Sequence, residues 1–271
     1  MRIKVPASIA NIGPGFDCMA MAIDLWLEVE ANEAERPAWD YEGEGADYLY
    51  AHENPFTRLT MKGRVRSEIP MGVGLGSSAA SRLAASALMS PWDVKSHVVD
   101  AGADEGHYDN VAASASGGIR IVSEKVDEKL PNPGWGIALF IAHQPLPTEK
   151  ARSVLPEEVT LADATFNASR TALLVRAIVS KRASLLGEAL RDRLHQPHRL
   201  HLYPYSRRGG RGRLRRGDLR RRTERVRLLR ALASKQDRQG DGGVAPAAWP
   251  GARDQDHRQG HVSYVVIVQK F

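Results

Sequence analysis

The chain has 271 residues and one cysteine, Cys18. A single cysteine excludes an intrachain disulfide and a cage of cysteine ligands around a metal. It fits a reducing compartment. The opening MRIKVPASIANIG lacks the long apolar core of a signal peptide, and no apolar run approaches membrane-spanning length. These absences predict a soluble cytoplasmic protein with no membrane partner. The length allows one large domain or two modest ones around a substantial core.

A uniform charge is also lacking. From Arg207 to the end there are 15 Arg and 2 Lys against 6 Asp or Glu, whereas the first 206 residues hold 21 basic and 26 acidic side chains. An acidic body therefore carries a basic tail, and the two need separate explanations.

The most specific stretch runs Pro70-Met71-Gly72-Val73-Gly74-Leu75-Gly76-Ser77-Ser78-Ala79-Ala80. Three alternate glycines and two hydroxyls lead into Ala80, Leu83, Ala84, Ala87 and Leu88, the spacing of one buried helical face. The glycines let backbone pass close to a ligand. The first helical turn offers unpaired N–H groups and the positive end of the helix dipole, which suits a phosphate. No Lys precedes the hydroxyls as in a P-loop, and no acidic residue stands where a dinucleotide fold places one. A tight turn packing a helix on a sheet is the alternative reading, and the hydroxyl pair favours phosphate over it.

Elsewhere the pattern is coarser. Met1 to Pro6 reads as a short edge strand, Ile23 to Ala31 as a strand, and Val65 to Ile69 as a strand entering the glycine loop. Arg36 to Asn54 is polar and turn-rich, and Pro91 breaks the helix that follows the loop. Gly13-Pro14-Gly15 is a turn, with Asn11 and Asp17 flanking it. Those two either converge on a cleft or form an Asx turn with a capping Asp. Asp104 to Ala112 gathers polar side chains before the glycine pair Gly117-Gly118 and an alternating strand. Its carboxylates suit Mg²⁺, while His107 lacks a second His at metal spacing. Trp135 to Ala142 reads as a strand.

Thr148 and Arg152 share one side of a helical turn. Thr160 and Asp163 form a capping box for a helix with Ala164, Ala168, Ala172, Val175 and Val179 among its apolar positions. Another helix is expected from Ala183 to Leu194. Arg220 to Arg230 suits a basic helix, and His261 to Lys270 a strand.

Pro-x-x-x-Gly-Leu-Gly-Ser-Ser-Ala-Ala resembles the ATP-binding motif of the GHMP small-molecule kinases. Pro-Ala-Ser-x-Ala-Asn-x-Gly-Pro-Gly-Phe-Asp-Cys resembles the opening motif of homoserine kinases. Glu105-Gly106-His107-x-Asp109-Asn110-Val111 is similar to their central loop. Thr148-x-x-x-Arg152 and Gln196-Pro197-x-Arg199 are similar to their substrate segments. The five occur in the family's order, up to about Tyr205.

The resemblance implies an α+β, two-layer GHMP kinase fold. Residues 1–145 would form an N-terminal ATP-binding domain like the second domain of ribosomal protein S5. Residues 146–271 would form a ferredoxin-like C-terminal domain, atypical from about 206. The helix this family places between about Tyr48 and Lys62 would be shortened.

The activity implied is phosphorylation of L-homoserine by ATP to O-phospho-L-homoserine, a step toward threonine. ATP and Mg²⁺ are the implied cofactors. Pro70, Met71, Gly72, Val73, Gly74, Leu75, Gly76, Ser77, Ser78, Ala79 and Ala80 would cradle ATP. Ser78 (with Ser77 the lesser choice) and Glu105 would hold Mg²⁺, Asp104 and Asp100 being alternatives to Glu105. Asn11, Asp17, His107, Asp109, Asn110, Thr148, Arg152 and Arg199 would bind homoserine, Asp17 taking the ammonium and the two arginines the carboxylate. No residue is assigned as general base. The family admits a homodimer.

Past Tyr205 the family's second glycine-rich loop, of the type Ser-Gly-Ala-Gly-Pro, is lacking, and Arg207 to about Gln259 is rich in Arg, Gly, Asp and Ala. The abrupt change fits translation of a GC-rich gene in a shifted reading frame better than a divergent natural end or plain disorder. Nucleic-acid binding fits it least. The alternative functions are therefore another GHMP kinase, or an inactive product with a frameshifted tail.

Overall fold

Gly13 and Pro14 close a long antiparallel hairpin. Its arms are β1 (Arg2–Ile12) and β2 (Gly15–Glu33), paired from Arg2↔Glu30 to Ile12↔Gly15 with bulges at Pro6/Ala7 and Ala10/Ile12. The edge strand expected over Met1 to Pro6 thus continues through the whole Asn11 motif. The computed structural model describes residues 1–90, 93–123, 125–139, 141 and 145–202, with the strand segments 228–230 and 264–267.

One edge of β2 carries β1 along most of its length. The other edge is shared by β4 (Met61–Ser67), antiparallel to Leu27–Glu33, and β5 (Ile119–Val122), antiparallel to Met19–Met21. β3 (Ala38–Gly43) lies parallel to β4, and β6 (Asp127–Leu130) follows β5. The polar stretch read as turns from Arg36 to Asn54 therefore contains β3 and a short helix, α1 (Ala46–Ala51). Tyr41 turns inward from β3 while Asp40 and Glu42 face solvent, so a period of two was present among charges.

The helix expected after the glycine loop is α2 (Ser77–Met89), ended before Pro91. Its buried side includes Ala80, Leu83, Ala84 and Leu88 as the spacing predicted, with Ser81 and Ala85 as well, while Ala87 is only half-buried because that side turns toward Ser81 and Ala85. Two helices precede Gly117, α3 (Val94–Glu105) and α4 (Asp109–Ser116), and α4 takes in the Asp109-Asn110-Val111 stretch likened to a loop. Ala10, Ala20 and Ala113 pack together, and side chains this small let α4 lie close on the β1–β2 hairpin.

The chain divides into two compact units, Met1–Lys129 with Gln144–Leu146, and Leu130–His143 with Pro147–Phe271. In the second, β7 (Gly136–Leu139) pairs antiparallel with β8 (Leu228–Arg230) and parallel with β9 (Tyr264–Ile267). β7 falls within the strand expected over Trp135 to Ala142, and β9 within that expected over His261 to Lys270. Leu228–Arg230 is strand, not the end of a basic helix. The remaining Arg/Gly-rich stretch, on which the frameshift and nucleic-acid readings were placed, lies outside the described residues.

The helices of this unit are α5 (Thr148–Arg152), α6 (Leu161–Val179), α7 (Leu186–Ala189) and α8 (Gln196–Arg199). The Thr160 hydroxyl accepts from Asp163 N at 3.1 Å and donates to its carboxylate at 2.7 Å, which caps α6 as its sequence requires. The buried side of α6 is Asn167, Leu174, Ala177 and Ile178. Ala168, Ala172 and Val179 are exposed instead, because α6 packs on the turn at 183–185 and on α7, one face round from the alanines. The helix expected to reach Leu194 stops at Ala189.

Candidate active site

The glycine loop is docked on β1. Ser8 N donates to the Leu75 carbonyl at 3.1 Å. Gly72, Gly74 and Gly76 all have left-handed φ, of 69°, 71° and 70°. Gly76 is also the residue preceding the first turn of α2. A Cβ on Gly76 would stand 2.3 Å from Ser8 Oγ and 3.2 Å from Asn110 Nδ2. The loop can pass this close to β1 only without a side chain. Ser77 and Ser78 then begin α2, whose leading N–H groups have no partner within the helix.

Ser8 is the centre of this docking. It is fully buried. Its hydroxyl accepts from Asn110 Nδ2 at 3.0 Å and from Ser114 Oγ at 2.9 Å, and its carbonyl accepts from Asn110 Nδ2 at 3.3 Å. Asn110 is thus tied to the hairpin at Ser8, the residue on which the glycine loop is docked. Ser8 belongs to the Pro-Ala-Ser-x-Ala-Asn motif but is not among the expected site residues. A small hydroxyl residue in the midst of an apolar strand was the available signal.

Ser78 and Glu105, from different helices, meet. The Ser78 hydroxyl donates to Glu105 Oε1 at 2.5 Å. Glu105 is the last residue of α3, which ends at Gly106 with φ 74°. Arg82 Nε donates to the same carboxylate oxygen at 3.0 Å. Asp100 is exposed on α3. Among the described residues no group of three or more His, Cys, Asp or Glu gathers at one point. One hydroxyl and one carboxylate suit Mg²⁺ in the form that takes its other ligands from phosphate oxygens and water.

Asn11 and Asp17 both adopt left-handed φ, of 57° and 54°, a region that Asn and Asp enter more readily than most residues. Asp17 N donates to Asn11 Oδ1 at 2.8 Å. Two such residues in one hairpin end are strained, and such strain collects at ligand-binding sites. Asp17 lies in strand rather than at a helix cap.

At the start of α4, Asp109 Oδ1 accepts from Asn110 N at 2.7 Å and from His107 Nδ1 at 2.9 Å. Its other oxygen, Oδ2, is buried without a hydrogen-bond partner, a costly state that a ligand donor would relieve. Burial pushes the Cys18 thiol up, and the carboxylates of Asp109 and Asp17 push it further.

In the second unit α5 carries Thr148 as its first residue and Arg152 as its last. Arg199 is 3% exposed and its Nε donates to the Ala151 carbonyl at 2.9 Å. The structure therefore brings the two expected arginines to one helix end. Arg199 is reached through a chain of polar contacts. Asn167 on α6 donates to Asp192 Oδ1 at 2.6 Å and accepts from Arg193 N at 2.9 Å. Asp192 accepts from the N–H groups of Leu194, His195 and Gln196 at 3.0, 3.0 and 2.6 Å. That capping is why a turn replaces the expected helix end and why α8 starts where it does.

Burial alone would raise the Asp192 carboxyl, but His195 and these hydrogen bonds outweigh it and hold it below its ordinary value. A carboxylate favoured in the folded state adds stability above its unfolded pKa of about 3.9 that is lost as pH falls through the folded value. Asp192→Asn should therefore weaken the fold near neutral pH and show a shallower loss of stability on acidification. Denaturant titrations at pH 7 and pH 3 would measure both, and parallel acid limbs for the two proteins would overturn the assignment.

Residues 45–118 match the family described as the GHMP kinases N terminal domain. A homoserine kinase of Thermus thermophilus is 41% identical over 223 residues, covering 75% of this chain and 76% of that protein. One of Cutibacterium acnes is 35% identical over 236 residues, covering 76% and 79%. Among solved structures, homoserine kinase of Cytophaga hutchinsonii superposes with a TM-score of 0.62 at 27% identity, covering 75% of each chain. Identity of this order over three quarters of both chains, with the fold shared, decides the relationship: this chain belongs to the homoserine kinase family of GHMP kinases.

Proposed function

We propose that the chain transfers the γ-phosphoryl group of ATP to the side-chain hydroxyl of L-homoserine. The hydroxyl oxygen bonds to the γ-phosphorus, the bond from that phosphorus to the bridging oxygen breaks, ADP leaves, and the hydroxyl proton is released. Phosphoryl transfer asks a protein for position and charge neutralisation more than for covalent chemistry. The observation that carries the reading is the Ser78–Glu105 contact at the start of α2. It sets a hydroxyl and a carboxylate beside the N–H groups of a glycine-bounded helix start.

In this reading Pro70 to Ala80 line the nucleotide, with the N–H groups of the loop and first turn toward phosphate oxygens. Ser78 and Glu105 would hold Mg²⁺, which when bound neutralises phosphate charge. Asp17 takes the substrate ammonium, with Asn11 holding the Asp17 backbone in place. The buried Asp109 Oδ2 would give a second acceptor. His107 fixes the Asp109 carboxylate, and Asn110 ties the segment to Ser8, on which the nucleotide loop is docked. Arg152 and Arg199 take the substrate carboxylate, for which a planar guanidinium suits, and Thr148 stands beside them. Among the described residues no helix is long and apolar enough to cross a membrane.

Coupled ADP release from the full chain, offered L-homoserine, L-serine, L-threonine, mevalonate and galactose, tests the reading. Turnover should depend on homoserine. No homoserine-dependent ADP from folded protein, or a stronger response to another alcohol, would overturn it. Asp17→Ala should raise the KM for homoserine about 10- to 100-fold, as loss of a charge-assisted hydrogen bond implies, and leave that for ATP within about twofold. An unchanged homoserine KM would remove Asp17 from the ammonium site.

A further inference from the structure

Arg82 stands one helical turn after Ser78 on α2. Its Nε donates to Glu105 Oε1 at 3.0 Å and lies 3.5 Å from Ser78 Oγ. Glu105 Oε1 also accepts the Ser78 hydroxyl. One carboxylate oxygen thus serves both a hydroxyl and a guanidinium, at the place where a divalent cation would take the same carboxylate. The Glu105 side chain is 15% exposed and that of Arg82 35%, so their attraction is only partly screened by water.

We propose that Arg82 is a tethered counter-cation for this site. In the metal-free protein it occupies Glu105 and lends positive charge to the nucleotide loop, and it gives up Glu105 Oε1 when a divalent cation takes that oxygen. The proposal rests on the reading of Ser78 and Glu105 as metal donors and of Pro70 to Ala80 as the ATP loop.

A guanidinium keeps its charge at every working pH. Fixed at this position, that charge has two opposite effects. It attracts a polyphosphate that arrives without metal. It also opposes a divalent cation, by repulsion and by holding an oxygen the cation needs. Mg²⁺ demands near-ideal coordination and tolerates a shared ligand poorly. Arg82 therefore makes nucleotide binding less dependent on metal than the Ser78–Glu105 pair alone would. Nothing in the spacing of the glycine motif announces this, although Ser78 and Arg82 are four apart on one helical face.

The test is calorimetric binding of a non-hydrolysable ATP analogue to the full chain, in EDTA and in saturating Mg²⁺. The quantity read is the ratio of the two Kd values. In Arg82→Gln that ratio should rise about tenfold, the effect expected of one charge a few ångströms away in a partly screened site. The Mg²⁺ concentration at half-saturation should fall in step. Arg82→Lys keeps the charge and should stay within about threefold of the parent ratio. Arg82→Met provides a second neutral variant with a helix-compatible side chain, and it should repeat the rise seen with Gln. An unchanged or reduced ratio in the neutral variants, with the analogue still bound, would overturn the role of Arg82 and leave the ATP reading standing. A parent protein that binds no analogue in either condition would overturn both.

Discussion

Gly76→Ala should abolish measurable nucleotide binding and lower the stability of the fold by about 2–5 kcal/mol, the sum of two costs at one position. The first is conformational. Gly76 has φ 70°, and an L-residue held there loses roughly 1–2 kcal/mol. The second is steric. The new methyl would stand 2.3 Å from Ser8 Oγ, 3.2 Å from Asn110 Nδ2 and 3.4 Å from Ser8 N. Ser8 cannot retreat, because its hydroxyl is held by Asn110 and Ser114 and it has no exposed surface. Inserting a methyl into such a contact costs about 1–3 kcal/mol. The loop would relieve the clash by lifting from β1, breaking the Ser8 N to Leu75 bond and moving the first N–H groups of α2. Urea denaturation and binding of an ATP analogue measure the two effects. Adding Ser8→Ala to Gly76→Ala removes the nearest clashing atom and should recover part of the stability, and the shortfall from additivity isolates the contact. Gly106→Ala is the control. Its φ is 74° and nothing lies within 4 Å of the added methyl, so only the conformational cost should appear. Parent-like stability and binding in Gly76→Ala would refute the docking argument.

The same residues explain what the sequence made legible. Gly72 to Leu88 could be read because both signals are local: left-handed backbone asks for glycine, and one buried helix face asks for apolar residues three and four apart. The turn at Gly13-Pro14 was readable for the same reason. β3 was not, because its inward Tyr41 sits among Asp40, Glu42 and other polar residues, and its pairing is with β4, twenty or so residues further on. α4 was read as loop because Asp-Asn-Val-Ala-Ala-Ser-Ala-Ser has little hydrophobic contrast. Small side chains are what its close contact with Ala10 and Ala20 requires.

The core face of α6 was misread for the opposite reason. A polar residue, Asn167, is buried there to hold Asp192 and Arg193. A demand arising 25 residues away leaves no periodic trace. The site residues were legible as types in an order. Which of them touch was not, so Ser8 and Arg82, whose roles depend on tertiary contacts with Asn110, Ser114 and Glu105, were not legible as site residues.

Arg199→Lys should raise the KM for homoserine about 100-fold while leaving the KM for ATP and the melting temperature near those of the parent. The side chain is 3% exposed and its Nε is committed to the Ala151 carbonyl. That bond fixes the plane in which a guanidinium carries its other N–H groups. It also anchors the plane to α5, whose ends are Thr148 and Arg152. Lys keeps the positive charge and most of the volume, so the fold is retained. It has one nitrogen, which can serve the Ala151 carbonyl or a substrate carboxylate but cannot hold the two-point geometry of a guanidinium. Losing one charge-assisted hydrogen bond and the orientation of the second is worth about 2–3 kcal/mol, which corresponds to the stated factor. Because this binding is made before and during transfer alike, kcat should change much less than KM. Asn167→Ala offers an independent route to the same result. It removes the donor to Asp192 and so loosens the capping of α8 that presents Arg199. It should raise the homoserine KM as well, with a measurable loss of stability that Arg199→Lys does not show. Steady-state kinetics with each substrate varied in turn, and thermal melts of the three proteins, decide the matter. A rise in the ATP KM that matched the rise for homoserine would place Arg199 outside the carboxylate site.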